Sequence, residues 1–398
     1  MTALILAPFY LLLCTYLLRW FYKWLGVCHF WFHSIRFQIA FSCLYVFTCL
    51  TPLTSFLIRK GRAHHWLKAL NNYWFGVLLY ALIIIGGADF IRFICHRIPS
   101  IRDSIYKQKR TFIITGFLAG ILIIAVSTYG FLHVKHIQEK DYRLTFNKNC
   151  EKHKSLRIAL VADLHLGYSI GNWQMKQMVQ KINDMEADLV LIAGDIYDNE
   201  YEAIKNPDKI ANTLSHIKSR YGVYACWGNH DVNEKILAGF TFRFGNASEK
   251  DDPRMTDFLN KAGVTLLEDE VILINDSFYL AGRKDPSRSK KLEENRKSPA
   301  ELLDCLDQTK PVFVIDHQPK DFQELQEAGA DLVMGGHTHD GQMFPGNLIT
   351  RLFWENSYGY AKIKNMHSVV TSGVGVWGPA MRVGTDSEVV CIDINLGQ

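Results

Sequence analysis

The sequence lacks the cysteine spacing that a disulfide framework or a thiolate zinc site requires. Its nine cysteines are scattered along the chain, their number is odd, and no two of them form a Cys-x-x-Cys pair. This excludes a small disulfide-stapled scaffold and a tetrathiolate zinc domain, and it leaves the redox compartment open. Internal repeats and low-complexity tracts are also missing, which excludes a solenoid and a mainly disordered chain.

Acidic residues are almost absent from the first third of the chain. Residues 1–134 carry thirteen lysines and arginines and only two acids, Asp89 and Asp103, whereas the remainder holds 31 basic and 38 acidic residues. The overall charge of +4 therefore conceals two parts of opposite sign. We expect a basic N-terminal region followed by a separate acidic domain.

Charged side chains are missing altogether from four stretches of this N-terminal region, at 2–18, 38–58, 69–88 and 111–134. A helix needs about 20 apolar residues to cross the hydrocarbon core of a bilayer. We therefore predict a transmembrane region over residues 1–134, with about four helices at 2–22, 38–58, 69–91 and 111–134. Aromatic residues near the ends of the stretches favour membrane spans over the alternative, a buried soluble helical bundle.

The first stretch lacks a basic leading segment and an Ala-x-Ala cleavage site, so we expect a retained span and no cleaved signal peptide. Four spans would place both termini on one side of the membrane. The loops on the opposite side then carry nine basic residues, against seven on the side of the termini. The positive-inside rule thus favours an integral cell membrane protein whose C-terminal domain lies outside the cytoplasm.

The C-terminal part alternates strand and helix patterns. Short apolar runs predict buried strands at 156–162, 188–193 and 222–227, with helical segments between them. This order is typical of an α/β sheet with parallel neighbours, and further strands later in the chain predict a second sheet packed on the first. The polar segment 135–155 is interpreted as a linker, and 236–260 as an insertion or lid beside the functional site.

Five clusters of metal-binding residue types lie at the ends of predicted strands. They are Asp163-Leu164-His165, Gly194-Asp195, Gly228-Asn229-His230-Asp231, Asp316-His317 and Gly336-His337-Thr338-His339. Carboxylate, imidazole and amide ligands suit a divalent metal of hard to borderline character. Because open α/β sheets bind ligands at the carboxyl ends of their strands, we expect the clusters to meet at one edge. A two-metal hydrolytic site can be built there.

The residue types also predict roles within such a site. Asp195 is the natural bridge between two ions, because it follows a strand and a glycine that permits a sharp turn. In extended backbone, Asp163 and His165 would face the same way and hold one ion together. Two divalent cations against two carboxylates leave a charge of about +2, which stabilises a phosphoryl group and acidifies bound water. His230 then remains free to donate a proton to the leaving group.

Together the clusters resemble the calcineurin-like metallophosphoesterase family, whose pattern is Asp-x-His, Gly-Asp-x-x-Asp, Gly-Asn-His-Asp/Glu, His and Gly-His-x-His. The domain predicted at 156–398 contains every part of this pattern. The DLHLG start and the membrane N-terminus are most similar to the bacterial membrane-anchored branch. The resemblance implies a four-layer α/β/β/α sandwich that binds two divalent metal ions, Mn, Fe or Zn.

The resemblance also implies a role for each site residue. The first metal would be bound by Asp163, His165, Asp195 and His339. The second would be bound by Asp195, Asn229, His317 and His337. His230 would be the catalytic acid, steadied by Asp231. Asp198 and Asp340 are expected to support the site through hydrogen bonds, while Arg283 and Lys284 are expected to be surface charges, with phosphate contact as the alternative.

The implied activity is hydrolysis of a phosphomonoester, phosphodiester or pyrophosphate bond by attack of a metal-bridging hydroxide. The membrane spans favour a lipid-linked substrate, because a tethered domain meets lipid headgroups at a high effective concentration. Two alternatives stay open: hydrolysis of soluble, including cyclic, nucleotides, and a non-catalytic metal-bearing scaffold or sensor. Besides the membrane and the phosphate ester, no nucleic acid polymer is predicted as a partner.

Overall fold

The computed structural model describes residues 2–52, 54, 58, 61–101, 108–148, 154–234, 236–237, 240–241 and 251–396. The chain divides into two compact units. A helical unit comprises Met1–Leu132 with the short segments Ile236–Phe242 and Gly378–Met381. A sheet unit comprises His133–Lys235, Arg243–Trp377 and Arg382–Gln398.

Four long helices dominate the N-terminal region: α1 (Thr2–Cys28), α2 (Ile35–Cys49), α3 (Gly61–Arg97) and α4 (Lys109–His133). Among the described residues, two helical segments, Trp66–Arg97 and Lys109–His133, are long and apolar enough to cross a membrane. Only 22% and 17% of their most apolar windows are buried, so neither resembles the core helix of a soluble bundle.

The predicted count of four spans is not confirmed. Helix α2 has only 15 residues, which is short of the roughly 20 that a bilayer requires. Part of the predicted span 38–58 lies outside the described residues. Helix α1 covers the first predicted span, but it also carries Arg19 and Lys23.

A small apolar core and directed hydrogen bonds hold these helices together. The buried apolar residues are Cys14, Leu17, Trp20, Cys49, Leu78, Ala81, Ile85, Ala119 and Ile123. The carboxylate of Asp89 accepts hydrogen bonds from Tyr16 Oη at 2.8 Å and from Trp20 Nε1 at 3.3 Å. Because an unsatisfied polar group is costly in an apolar environment, these bonds tie α1 to α3.

The sheet unit contains two six-stranded sheets. The first has the order β1-β14-β2-β3-β4-β7 and the second β12-β13-β11-β10-β9-β8. The strands of the first sheet are β1 (Ile137–Phe146), β2 (Ser155–Val161), β3 (Leu189–Ala193), β4 (Val223–Cys226), β7 (Val264–Leu266) and β14 (Ser387–Leu396). Those of the second are β8 (Glu270–Ile274), β9 (Phe278–Gly282), β10 (Val312–Ile315), β11 (Leu332–Gly335), β12 (Gly359–Ile363) and β13 (Met366–Val370). In the helical unit, β5 (Ile236–Leu237) and β6 (Phe240–Thr241) pair with each other.

Helices cover the outer faces of both sheets. They are α5 (Asn172–Asp184), α6 (Pro207–Leu214), α7 (Pro253–Ala262), α9 (Pro299–Leu303) and α10 (Phe322–Glu327). One apolar cluster lies between the two sheets and includes Leu160, Leu191, Phe313 and Met334. Two further clusters pack α5–α7 against the first sheet and α9–α10 against the second. The helices α8 (Pro286–Leu292) and α11 (Gly346–Phe353) lie outside these apolar clusters. The predicted four-layer α/β/β/α sandwich is thus confirmed.

The interpretation of 135–155 as a linker is wrong for the part that forms β1. This strand pairs in parallel with β14 from Ile137↔Ser387 to Phe146↔Leu396. Ile137, Leu144 and Phe146 are buried, whereas the charged residues between them alternate with partly buried neighbours. An edge strand with one charged face carries too few apolar residues to be recognised from its composition.

The structure also differs from the prediction of an insertion at 236–260. Its last residues belong to α7, where Met255 and Phe258 pack into the core beneath the first sheet. This portion is therefore part of the sandwich and does not form a lid. Residues 242–250 of the same prediction lie outside the described residues.

Truncation of β1 side chains tests its place in the sheet. Phe146 is buried, and its ring lies 5.8 Å from Phe313 and 4.8 Å from His367. We expect Phe146→Ala to lower the free energy of unfolding by about 3 kcal/mol, because it opens a cavity between the sheets. The neighbouring exposed residue gives a matched control: Thr145→Ala should change stability by less than about 0.5 kcal/mol. Equal melting temperatures for both variants in thermal unfolding would show that the segment is a linker.

Candidate metal centre

The predicted metal ligands all follow the carboxyl ends of parallel strands. Asp163 and His165 come after β2, and Asp195 comes directly after the glycine that ends β3. Asn229 follows β4, and the second sheet supplies His317 after β10 and His337 and His339 after β11. The structure brings these seven side chains together where the ends of the two sheets meet.

The first group consists of Asp163, His165 and His339, whose ligand atoms all lie within 4.8 Å of one another. His165 Nε2 is 3.1 Å from His339 Nε2, and His339 Nε2 is 3.5 Å from Asp163 Oδ1. Two imidazole nitrogens and one carboxylate oxygen thus point at a common centre. Such a donor set can hold one divalent ion.

The second group consists of Asp195, His317 and His337, again within 4.8 Å. His317 Nε2 lies 3.0 Å from Asp195 Oδ2 and 3.2 Å from Asn229 Oδ1. Asp195 Oδ2 is also 3.8 Å from His165 Nε2 of the first group. The carboxylate of Asp195 therefore lies between the two groups. His317 Nδ1 donates to the carbonyl oxygen of Ala193 at 2.8 Å, which leaves Nε2 directed at the centre.

Left-handed backbone conformations aim several of these side chains. The φ angles are +53° at Asp163, +45° at His165, +50° at Asp195, +75° at His337 and +53° at His339. Non-glycine residues rarely adopt positive φ, and such strain concentrates at functional sites. The expectation that Asp163 and His165 share a site through extended backbone is therefore wrong. Both residues have a left-handed backbone conformation, which directs their side chains to the same centre.

Gly194 gives the site its close packing. Its φ is +80°, and a Cβ at this position would lie 2.7 Å from His317 Nδ1 and 2.8 Å from the backbone nitrogen of Gly228. Contacts below 3.0 Å are not tolerated by a real side chain. Only glycine lets the end of β3 approach His317 this closely.

The site contains two buried carboxylates that a nearby positive charge would stabilise. Asp163 and Asp195 are 0% and 1% exposed. Within the described part of the chain, neither carboxylate forms an ion pair with a lysine or arginine, and their close partners are histidines. Burial raises the pKa of Asp163 to about 6. Two buried carboxylates without a fixed cation are costly, so the residues fit a site for divalent metal ions.

Two of the histidines, His337 and His339, are held in the neutral form that binds metal. Burial lowers the pKa of His337 to about 3, and it holds the pKa of His339 well below its ordinary value. A neutral imidazole offers a lone pair to a metal ion, whereas a protonated ring cannot bind one. The donor set therefore suits ions of the Mn, Fe or Zn type without selecting among them.

His230 lies beside the two groups and is positioned by a residue that the motifs did not indicate. Its Nδ1 donates to Asn199 Oδ1 at 2.5 Å, and its backbone nitrogen donates to Asp195 Oδ1 at 2.7 Å. Burial lowers the pKa of His230 to about 4. With the Nδ1 proton held by Asn199, Nε2 is the ring nitrogen left for a substrate.

Asp231 accepts hydrogen bonds from backbone nitrogens through both of its carboxylate oxygens. Its Oδ1 accepts from the backbone nitrogen of Tyr197 at 2.9 Å and its Oδ2 from that of Gly228 at 2.7 Å. Both carboxylate oxygens thus hold backbone, and Asn199 contacts the His230 ring instead. Asp231 shapes the turn that presents Asn229 and His230.

Arg382 is a second residue that sequence reasoning missed. It is fully buried, and its guanidinium donates to the carbonyl oxygens of His339 at 3.2 Å and Gly375 at 2.8 Å. Burial lowers its pKa to about 10, so it stays charged at neutral pH. It ties the loop of His339 to the loop beside Asp163. An isolated arginine outside any motif gave no signal in the sequence.

Arg283 is neither a surface charge nor a phosphate contact. It is 1% exposed, and its Nη1 lies 2.6 Å from Asp316 Oδ2, where Arg296 Nη2 also contacts at 2.8 Å. This cluster holds the turn directly before His317. Lys284 pairs instead with Glu294 at 2.8 Å.

The two supporting acids lie next to the ligands. Asp198 Oδ1 is 3.7 Å from His165 Nδ1, the ring nitrogen opposite the one that faces His339. The backbone nitrogen of Asp340 donates to Thr338 Oγ1 at 3.2 Å within the loop of His339. Their supporting role remains a prediction.

Comparisons with known proteins agree with this geometry. The calcineurin-like phosphoesterase family model matches residues 156–341. An uncharacterized metallophosphoesterase of Helicobacter pylori is 30% identical over 238 residues, which are 59% of this chain and 59% of the relative. A transmembrane protein with metallophosphoesterase domain from Danio rerio is 25% identical over 346 residues, covering 82% of this chain and 74% of the relative.

A further relative has a named substrate. The UDP-2,3-diacylglucosamine pyrophosphatase LpxG of Chlamydia trachomatis is 22% identical over 267 residues, which are 58% of this chain and 78% of LpxG. The family match over residues 156–341 shows that the chain contains a calcineurin-like phosphoesterase domain, and its relatives include bacterial and transmembrane metallophosphoesterases.

Proposed function

We propose that the protein is a membrane-anchored dimetal phosphoesterase that hydrolyses a phosphomonoester, phosphodiester or pyrophosphate bond of a lipid-linked substrate. The observation that carries the proposal is the pair of buried Asp and His groups with Asp195 between them. In this assignment one ion is held by Asp163, His165, Asp195 and His339. The other is held by Asp195, Asn229, His317 and His337.

Two divalent ions, when bound, supply charge for the phosphoryl oxygens and a water that ionises near neutral pH. The protein's own residues supply position and a proton. Asn199 keeps the Nδ1 proton of His230, so Nε2 faces the leaving-group oxygen. A bound phosphate raises the pKa of this ring, because negative charge favours its protonated form. The protonated Nε2 then donates to the departing oxygen.

Loss of the Asp195 carboxylate tests the assignment of the ions. We expect Asp195→Ala to lose bound metal, because both groups lose their shared oxygen ligand. The measurement is the metal content of the purified full-length protein after exposure to Mn²⁺ and removal of free ion. Asp208→Ala, at an exposed acid paired with Lys261, is the control and should bind like the native protein. Two retained ions in Asp195→Ala would refute the bridging role.

Removal of the His230 ring tests the proton donor. His230→Ala should retain its metal and lower kcat on an aryl phosphate diester by roughly 10²–10⁴-fold, the usual contribution of a positioned general acid. His216→Ala changes an exposed histidine and should turn over normally. If His230→Ala hydrolyses the diester as fast as the native protein, the ring has another role.

The lipid-linked substrate is supported by the membrane-associated N-terminal region and by the relative LpxG, whose name states a pyrophosphatase of a diacylated sugar nucleotide. A panel of phospholipids, lipid-linked sugar pyrophosphates and nucleotides, tested with Mn²⁺, Fe²⁺ and Zn²⁺, decides the class. We expect lipid-linked pyrophosphates to be hydrolysed fastest. Faster hydrolysis of soluble or cyclic nucleotides would favour that alternative, and no turnover with any ion would favour a scaffold.

The distribution of basic residues supports a domain outside the cytoplasm. Cys305 is exposed on the sheet unit and therefore reports its side of the membrane. In intact cells, a membrane-impermeant maleimide should label the native protein more than Cys305→Ser. A difference that emerges only after lysis would place the domain inside.

A further inference from the structure

Helix α11 (Gly346–Phe353) shows an apolar face to solvent. None of its residues is buried. Leu348 and Ile349 are each 51% exposed, Leu352 80% and Phe353 77%. Soluble proteins rarely expose a contiguous apolar patch of this kind without a binding partner. We call α11 the rim helix.

The apolar residues of the rim helix share one side. Leu348 and Leu352 are four residues apart, as are Ile349 and Phe353, so the two pairs form adjacent rows along the helix. Thr350 and Arg351 lie between the rows in sequence and therefore face another direction. This separation is typical of helices that lie in the plane of a membrane interface.

The rim helix adjoins the metal centre. It begins a few residues after His339, and Trp354 follows its last residue. The ring of Trp354 lies 5.1 Å from the ring of His337. Lys320 Nζ lies 5.1 Å from the centroid of the Trp354 ring. A surface bound by the rim helix is therefore next to the predicted ligands.

The chain enters the sheet unit at the same edge. Strand β1 begins at Ile137, which pairs with Ser387, the first residue of β14. Because β14 runs antiparallel to β2, with Val390 opposite Leu160, Ser387 lies at the edge where β2 ends and Asp163 follows. Candidate span α4 thus leads into the sheet unit at the metal edge.

The connection between α4 and β1 is short. Only Val134, Lys135 and His136 separate α4 from β1. His133 Nε2 lies 2.8 Å from Asp386 Oδ1, and Val134 is buried in the core beneath the first sheet. Only a few residues of chain therefore separate the end of the candidate span from the metal edge of the sheet unit.

The rim helix itself carries one charge, and it is basic. This is Arg351, and Lys320 lies above Trp354, while the exposed Glu355 follows Trp354 directly. Basic residues near the interface attract anionic headgroups, while Leu, Phe and Trp side chains enter the boundary between headgroups and acyl chains.

We propose that the rim helix docks into the interface of the membrane that the chain's own helices enter, and so brings the metal centre to phosphate bonds in lipid headgroups. This inference rests on the proposed membrane-anchored phosphoesterase. It adds the surface that contacts the lipid and the orientation of the active edge.

Photo-crosslinking to lipid tests the docking. In the full-length protein, Leu352 is replaced by p-benzoylphenylalanine, and vesicles of phosphatidylcholine and phosphatidylglycerol contain a trace of clickable phospholipid. The matched control is the same replacement of Lys364, whose side chain is 58% exposed. Lys364 lies between β12 and β13 at the opposite edge, because β13 runs parallel to β11.

We expect several-fold more lipid adduct from position 352 than from position 364. Equal adduct at both positions would overturn the docking, as would a product at 352 that joins two copies of the chain and no lipid. Hydrolysis of an aryl phosphate by the native protein in detergent is measured in parallel. Adduct at 352 without any hydrolysis would reject the proposed function and leave the docking intact.

Discussion

Two carboxylates, Asp163 and Asp195, are buried where strands from both sheets end, and the described residues give neither of them a lysine or arginine partner. The rest of the structure follows from this constraint. Burial of negative charge is tolerated only when positive charge is supplied, and the histidines around these carboxylates can share a divalent cation with them. Burial of the two carboxylates therefore lowers the stability of the metal-free fold, and bound divalent ions would offset this cost.

The backbone around these carboxylates adopts φ angles that non-glycine residues rarely adopt, and these angles direct the ligand side chains to the site. Five predicted ligands have positive φ, and the neighbouring loops are fixed by groups that bind no metal. Asp231 holds two backbone nitrogens, Arg382 joins the loops beside His339 and Asp163, and Asp316 lies between two guanidinium groups. Such supporting contacts keep ligands in place before an ion arrives, which reduces the cost of binding.

Much of this was predictable from the sequence, because buried parallel strands are short apolar runs and metal ligands belong to few residue types. Strand β1 was not, since its charged face resembles a linker. Asn199 and Arg382 were not, because an amide acceptor and a buried guanidinium act through tertiary contacts that no local pattern records. The resemblance implied that Asp231 steadies His230, but it could not show that Asp231 binds backbone nitrogens while Asn199 contacts the ring.

The central claim is that Asp195 connects two metal ions. The most direct measurement is a crystal structure of the protein loaded with Mn²⁺, with anomalous diffraction collected at the manganese edge. The account predicts two anomalous peaks in one cavity, each contacted by an oxygen of Asp195. A single peak, or two peaks of which one does not contact Asp195, would contradict it.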